Sequence, residues 1–98
     1  MQNNVEHILD SISEILKNHP RVHKGILFGS RALGREKAWS DIDIAIDGDI
    51  SYDDILWFYR AYDALYMPYR VDFVDYRNIA NSALRDHIDR VGRVILEK

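Results

Sequence analysis

The stretch FGSRALGREKAWSDIDIAID, Phe28 to Asp47, decides how this chain is read. Its second half alternates strictly. Ile42, Ile44 and Ile46 fall on one side, and Asp41, Asp43 and Ala45 on the other, which is the period of a strand with one buried face. Aspartate is depleted in strands, and like charges on one face repel. Asp41 and Asp43 stand about 6–7 Å apart along the backbone, so something has to offset their charge. The first half ends a short apolar run, Gly25 to Phe28, in the pair Gly29-Ser30. That run reads as a buried strand, followed by a single helical turn over SRALG that stops at Gly34.

Working outward, Val5, Ile8, Leu9, Ile12, Ile15 and Leu16 have helical spacing from Asn4 to Lys17, with one apolar stripe. Asn3 and Glu6 read as its capping box, and Pro20 limits its far end. After Asp47, the dipeptide Gly48-Asp49 marks a turn. Ser51 with Asp54 opens a second helix carrying Ile55, Leu56, Phe58, Tyr59, Tyr62, Leu65 and Tyr66, with Pro68 beyond it. YRVDFVDY is a third strand, with Val71 and Phe73 on one face and Asp72 and Val74 on the other. Asn78 is placed to cap a last helix with Ile79, Leu84, Ile88 and Val91 on its apolar side. GRVILEK reads as a short final strand. The expected fold is α/β (α+β): one domain over residues 1–98, a small mixed sheet with helices packed mainly on the isoleucine face. The short connection allows the first two strands to be antiparallel, and the intervening helix allows a parallel crossover to the third. The aspartate face is then the open one.

Composition narrows the chemistry. The 98 residues are 47% hydrophobic and 30% charged, which fits a folded domain and neither a disordered nor a membrane-embedded chain. The N-terminus has no basic start and apolar block of a signal peptide, so a cytoplasmic protein is expected. There is no cysteine, which excludes disulfides, thiolate metal sites and a cysteine nucleophile. A formal net charge of -3 argues against direct nucleic-acid binding through a basic surface.

The carboxylates and the Gly-Ser turn suggest one site. Ionised on one face, Asp41 and Asp43 raise each other's pKa, and a divalent cation reverses that cost. Magnesium takes carboxylate oxygens and completes its shell with waters and substrate phosphates. Asp72, on the open face of the third strand, can complete a three-carboxylate cluster for two metals. Gly29 and Ser30 sit where a strand ends and a helical turn begins, a place where backbone N–H groups attract phosphate. Gly29 permits close approach, and the Ser30 hydroxyl can donate to a phosphate oxygen.

On these residues the chain resembles a known family. GSRALGREKAWSDIDIAI is similar to the Gly-Ser…Asp-x-Asp signature of the polymerase-β-like nucleotidyltransferases, and VDFVDY to the strand that carries their third carboxylate. The length and layout resemble the minimal nucleotidyltransferase (MNT) branch over nearly the whole chain. The resemblance implies that Gly29 and Ser30 hold the β- and γ-phosphates of ATP. It implies that Asp41 and Asp43 ligate magnesium, and that Asp72 binds the metal nearer the nucleophile and helps deprotonate the incoming hydroxyl. Arg31 is either a phosphate contact or an exposed salt-bridging arginine. Asp75 rivals Asp72, but its place before Arg77 and Asn78 favours a turn role. MNT proteins of this kind pair with a HEPN-domain toxin as its antitoxin, in a hetero-oligomer, and can transfer AMP from ATP to a toxin tyrosine (AMPylation). Two other readings stand beside this: a binding module that neutralises a HEPN partner by contact alone, and a nucleotidyltransferase acting on a small molecule.

The remaining features are weaker. His19 and His23 have the spacing of a helical zinc pair, but Pro20 intervenes and no third ligand is evident. GILFGSR lacks the Gly-Lys-Ser/Thr ending of a Walker loop. On the second helix, Phe58, Tyr62 and Leu65 fit a core stripe. That leaves Trp57, with Tyr66, for an interface, and Trp39 is a second candidate for partner or nucleotide contact.

Overall fold

The computed structural model describes residues 4–37 and 40–98. The expected cap at Asn3 and the expected contact at Trp39 lie outside them. The elements are α1 (Asn4–Lys17), β1 (Val22–Phe28), β2 (Ile42–Gly48), α2 (Tyr52–Asp63), β3 (Val71–Asp75), a 3-10 turn (Tyr76–Asn78), α3 (Ser82–Val91) and β4 (Arg93–Glu97). The sheet runs β3-β2-β1-β4. β1 is antiparallel to β2 and to β4. β2 and β3 are parallel, joined by the α2 crossover, as the segment between them requires.

The core lies where the alternation places it. Ile42, Ile44 and Ile46 are wholly buried against Ile8, Leu9, Ile12 and Leu16 of α1 and Phe58 and Tyr62 of α2. Each buried isoleucine contributes on the order of 2 kcal/mol. The capping box of α2 is present: the Asp54 N–H donates to the Ser51 hydroxyl and the Ser51 N–H to the Asp54 carboxylate.

Several expectations change. The opposite face is not open along its length. α3 lies across it, and Ile88 packs with Ile26, Phe28 and Ala45 into a second small core, so only the end of this face that bears the aspartates is left. α3 is capped by Asn81, whose side chain accepts from the N–H groups of Ala83 and Leu84. Asn78 instead lies in the 3-10 turn and donates to Asp75, because the chain makes an extra turn before the helix begins. Leu65 lies past the end of α2 and is 41% exposed, so it does not join the core stripe. SRALG forms the single helical turn expected, closed at Gly34. Leu33 N–H donates to the Gly29 carbonyl and Arg35 N–H to the Ser30 carbonyl, and Gly34 takes a left-handed φ of 72°.

His19 is structural. Its Nε2 donates to Asp54 at 3.0 Å, its Nδ1 accepts from the Arg21 N–H, and its ring packs on Trp57 and Phe58. Asp54 thus ties the segment after α1 to the start of α2. Hydrogen bonds from the Arg21 guanidinium and from the Ser51 backbone hold its carboxyl far below the usual carboxylate range. A carboxyl depressed in the folded state stabilises the fold above its unfolded pKa near 4, and that stability is lost as pH falls. Replacing Asp54 by alanine therefore costs about 1 kcal/mol at neutral pH, read by urea melts. The gap to wild type closes as the melts are repeated below pH 4.

Candidate active site

β2 places Asp43 between its two neighbours. Across the antiparallel pair it faces Phe28, the residue before Gly29. Across the parallel pair it faces Asp72. The Gly-Ser turn, Asp43 and Asp72 therefore form a row across one end of the sheet, about 4.8 Å per strand. Asp41 lies just before β2 on the same face. The structure thus brings Gly29, Asp41, Asp43 and Asp72 together, with Ser30 next in the turn. Asp75 has the parity of Val71 and Phe73, so it belongs to the opposite face, where Asn78 holds it. Asp47, further along β2, pairs with Arg77 at 2.8 Å.

Gly29 has a positive φ of 78°, and a Cβ there would run into the Asp43 carboxylate. No L side chain fits that position without strain. The Gly29 N–H donates to His87 Nε2 at 3.2 Å, so it is already engaged. His87 comes from α3 and packs edge-on to Phe28. The sequence carries no sign of this role: a lone histidine on a helix is brought here only by the packing of α3 on the sheet. Arg31 is not the exposed salt-bridging arginine of one expectation. Its guanidinium donates to the Ser40 carbonyl at 3.1 and 2.8 Å and to the Lys37 carbonyl, and it stacks over Tyr69. It clamps the loop that separates the Gly-Ser turn from the aspartates.

Burial, then the charges of Asp72 and Asp41, push the Asp43 carboxyl up, and only the nearby His87 opposes them. Arg70 comes no nearer than 4.0 Å to Asp41, and both side chains are well exposed. The row is thus an anionic site compensated only weakly, by His87 and an exposed Arg70, the chemistry a hard divalent cation fits. Among the described residues, no three His, Asp or Glu side chains form a ready-made metal cage. Magnesium usually takes one or two carboxylates and completes its shell with water and phosphate, so the donor set suits an ion that arrives with a nucleotide.

Paired aspartates at a strand end next to a Gly-Ser turn suit a site that handles phosphate with a divalent cation. The family model described as "Polymerase beta, Nucleotidyltransferase" matches residues 10–98, and the chain belongs to that family. Its substrate class is a nucleotide. Among solved structures, the chain is similar to a toxin–antitoxin crystal structure with AMP-PNP. That match has 26% identity and a TM-score of 0.74, and covers 92% of this chain and 73% of the other. It also resembles the toxin–antitoxin MntA–HepT, with 24% identity, a TM-score of 0.68, and coverage of 95% and 73%. A third match is a complex of a tri-AMPylated Shewanella oneidensis HEPN toxin with its MNT antitoxin, with 24% identity, a TM-score of 0.69, and coverage of 95% and 72%. No curated protein sequence matches the chain. Among the described residues, no helix is long and apolar enough to cross a membrane.

Two variants probe this geometry. Gly29→Ala forces the left-handed turn and the Asp43 carboxylate apart; it destabilises the fold by more than about 1 kcal/mol and removes nucleotide binding, read by melting and by calorimetry with ATP. Asp43→Asn removes a charge that its neighbours oppose, so in chelator its melting temperature rises above wild type while turnover is lost. A fall in that temperature would show that the carboxylates do not strain one another.

Proposed function

We propose that this chain is an MNT antitoxin that transfers AMP from ATP to a tyrosine hydroxyl of a HEPN-domain toxin in the cytoplasm. The observation that carries this reading is the row of Gly-Ser turn, Asp43 and Asp72 in cross-strand register. It supplies a place for phosphates at one end and a carboxylate for the acceptor at the other. Support comes from a 26% identical relative crystallised with AMP-PNP and from a fold neighbour whose HEPN toxin is tri-AMPylated.

In this reading the turn at Gly29 and Ser30 takes the β- and γ-phosphates. The Ser30 hydroxyl donates to a phosphate oxygen, and Gly29 lets the backbone approach. Arg31 holds the loop closed rather than touching phosphate. Asp41, Asp43 and Asp72 would hold two magnesium ions, which supply positive charge to the triphosphate. Asp72 faces the entering hydroxyl and takes its proton. The hydroxyl oxygen bonds to the α-phosphorus, the bond to the bridging oxygen breaks, and pyrophosphate leaves.

Incubation with labelled ATP, magnesium and the cognate HEPN protein should place label on that protein. Asp41→Ala with Asp43→Ala should cut the rate by at least about a hundredfold, the scale for losing electrostatic stabilisation of a developing charge. If the double variant neutralises the toxin as well as wild type does, and neither labels it, antitoxin action is contact alone. Calorimetry gives a second reading: ATP affinity should fall sharply in excess chelator, and equal affinity would contradict the magnesium assignment.

A further inference from the structure

Beyond Asp72, at the edge of the sheet, lies a groove of about 570 Å³ lined by Tyr59, Tyr62, Tyr66, Met67, Arg70 and Asp72 among others. The aspartate row does not account for it. We propose that this groove is the acceptor subsite, and that it seats a tyrosine-bearing segment of the protein that receives AMP. The proposal rests on the transfer reading above and adds where the acceptor enters.

The direction of the reaction makes the assignment. In an in-line displacement the entering and leaving oxygens stand on opposite sides of phosphorus. With pyrophosphate at the Gly29–Ser30 turn on the β1 side, the hydroxyl must come from the β3 side. Asp72 is the last carboxylate of the row on that side, and it is also a wall of the groove. An acceptor seated there presents its hydroxyl to Asp72.

The lining points to a protein. Tyrosine, methionine and arginine are enriched in protein interfaces. A polycationic small molecule would call for a wall of carboxylates, and here Asp63 and Asp72 are set against Arg70. The floor is fixed. The Tyr62 hydroxyl donates to the Tyr69 carbonyl at 2.6 Å, and the Tyr59 hydroxyl accepts from the Phe73 N–H at 2.9 Å. The second bond occupies one edge amide of β3 and takes it out of any strand pairing there.

The rim carries the clearest mark. Tyr66 is 92% exposed and has a φ of 51°, the only positive φ outside glycine among the described residues. A bulky residue in that conformation is strained, and strain of this kind clusters at functional positions. Glycine or asparagine takes this conformation at lower cost. An exposed tyrosine held against its backbone preference is accounted for by a contact it makes with another molecule.

The test uses Tyr66→Gly, which relieves the strain while deleting the contact. Its melting temperature should equal or exceed that of wild type. With the cognate HEPN protein as acceptor, its KM for the acceptor should rise about tenfold or more, and ATP affinity by calorimetry should be unchanged. Tyr66→Phe, which keeps the ring, should restore the acceptor KM. A rise in the ATP dissociation constant with an unchanged acceptor KM would give the groove to the nucleoside and overturn the proposal, as would no change in either. HEPN binding is measured by calorimetry without ATP as well. If wild type transfers no label, yet Tyr66→Gly still weakens HEPN binding, the transfer reading fails and the groove stands as the partner's seat. If neither label nor binding responds, both fail.

Discussion

Ile42, Ile44 and Ile46 are sealed between the sheet and the helices α1 and α2, and their burial sets the phase of the central strand. A slip of one residue would send the three isoleucines to the opposite face and the aspartates into the core. That penalty is several kcal/mol, far larger than the repulsion among the carboxylates. The apolar face therefore decides where the charges stand. Asp43 has no alternative to facing Asp72, and no alternative to filling the space beside Gly29. Core packing places a constellation that electrostatics alone would disperse.

The second constraint is closure of the loop between Ser30 and Asp41. The turns after Gly29 and the Arg31 guanidinium reaching the Ser40 carbonyl fold that segment back on itself. Arg31 thereby fixes the distance between the phosphate end and the metal end of the proposed site. His87 anchors the other side by accepting the Gly29 N–H. The turn is held from the loop and from α3 at once, which preorganises its backbone before a ligand arrives.

Local features of this fold were readable from the sequence, and relations between distant segments were not. The bounds of α1, the capping box of α2 and the faces of β2 and β3 follow from periodicity and cap chemistry within a few residues. The parallel pairing of β2 and β3 follows from the helix between them. The carboxylate row was legible because Asp43 and Asp72 sit on strands of readable phase and Asp41 directly precedes one, which also explains why Asp75, an odd number of residues beyond Asp72, falls on the other face. Misreadings arose where tertiary contacts decide. Asn78 and Asn81 are equally good caps locally, and the 3-10 turn chooses between them. Leu65 continues a helical pattern past the point where the helix stops. α3 covers half of a face that looked open, and it brings in His87 from 58 residues away, a contact no local pattern encodes.

The two faces of the sheet therefore divide the work unequally. The isoleucine face, closed by two helices, supplies most of the burial that stabilises the fold. The opposite face is covered by one short helix over Ile26, Ala45 and Phe28, and what α3 leaves uncovered is the anionic end beside Phe28. Extending α3 over that end would bury Asp43 further and leave it without water or counter-charge, a cost that grows steeply with desolvation. α3 thus reaches Gly29 through His87 and leaves part of the Asp43 side chain exposed, where a nucleotide and its cation would have to approach.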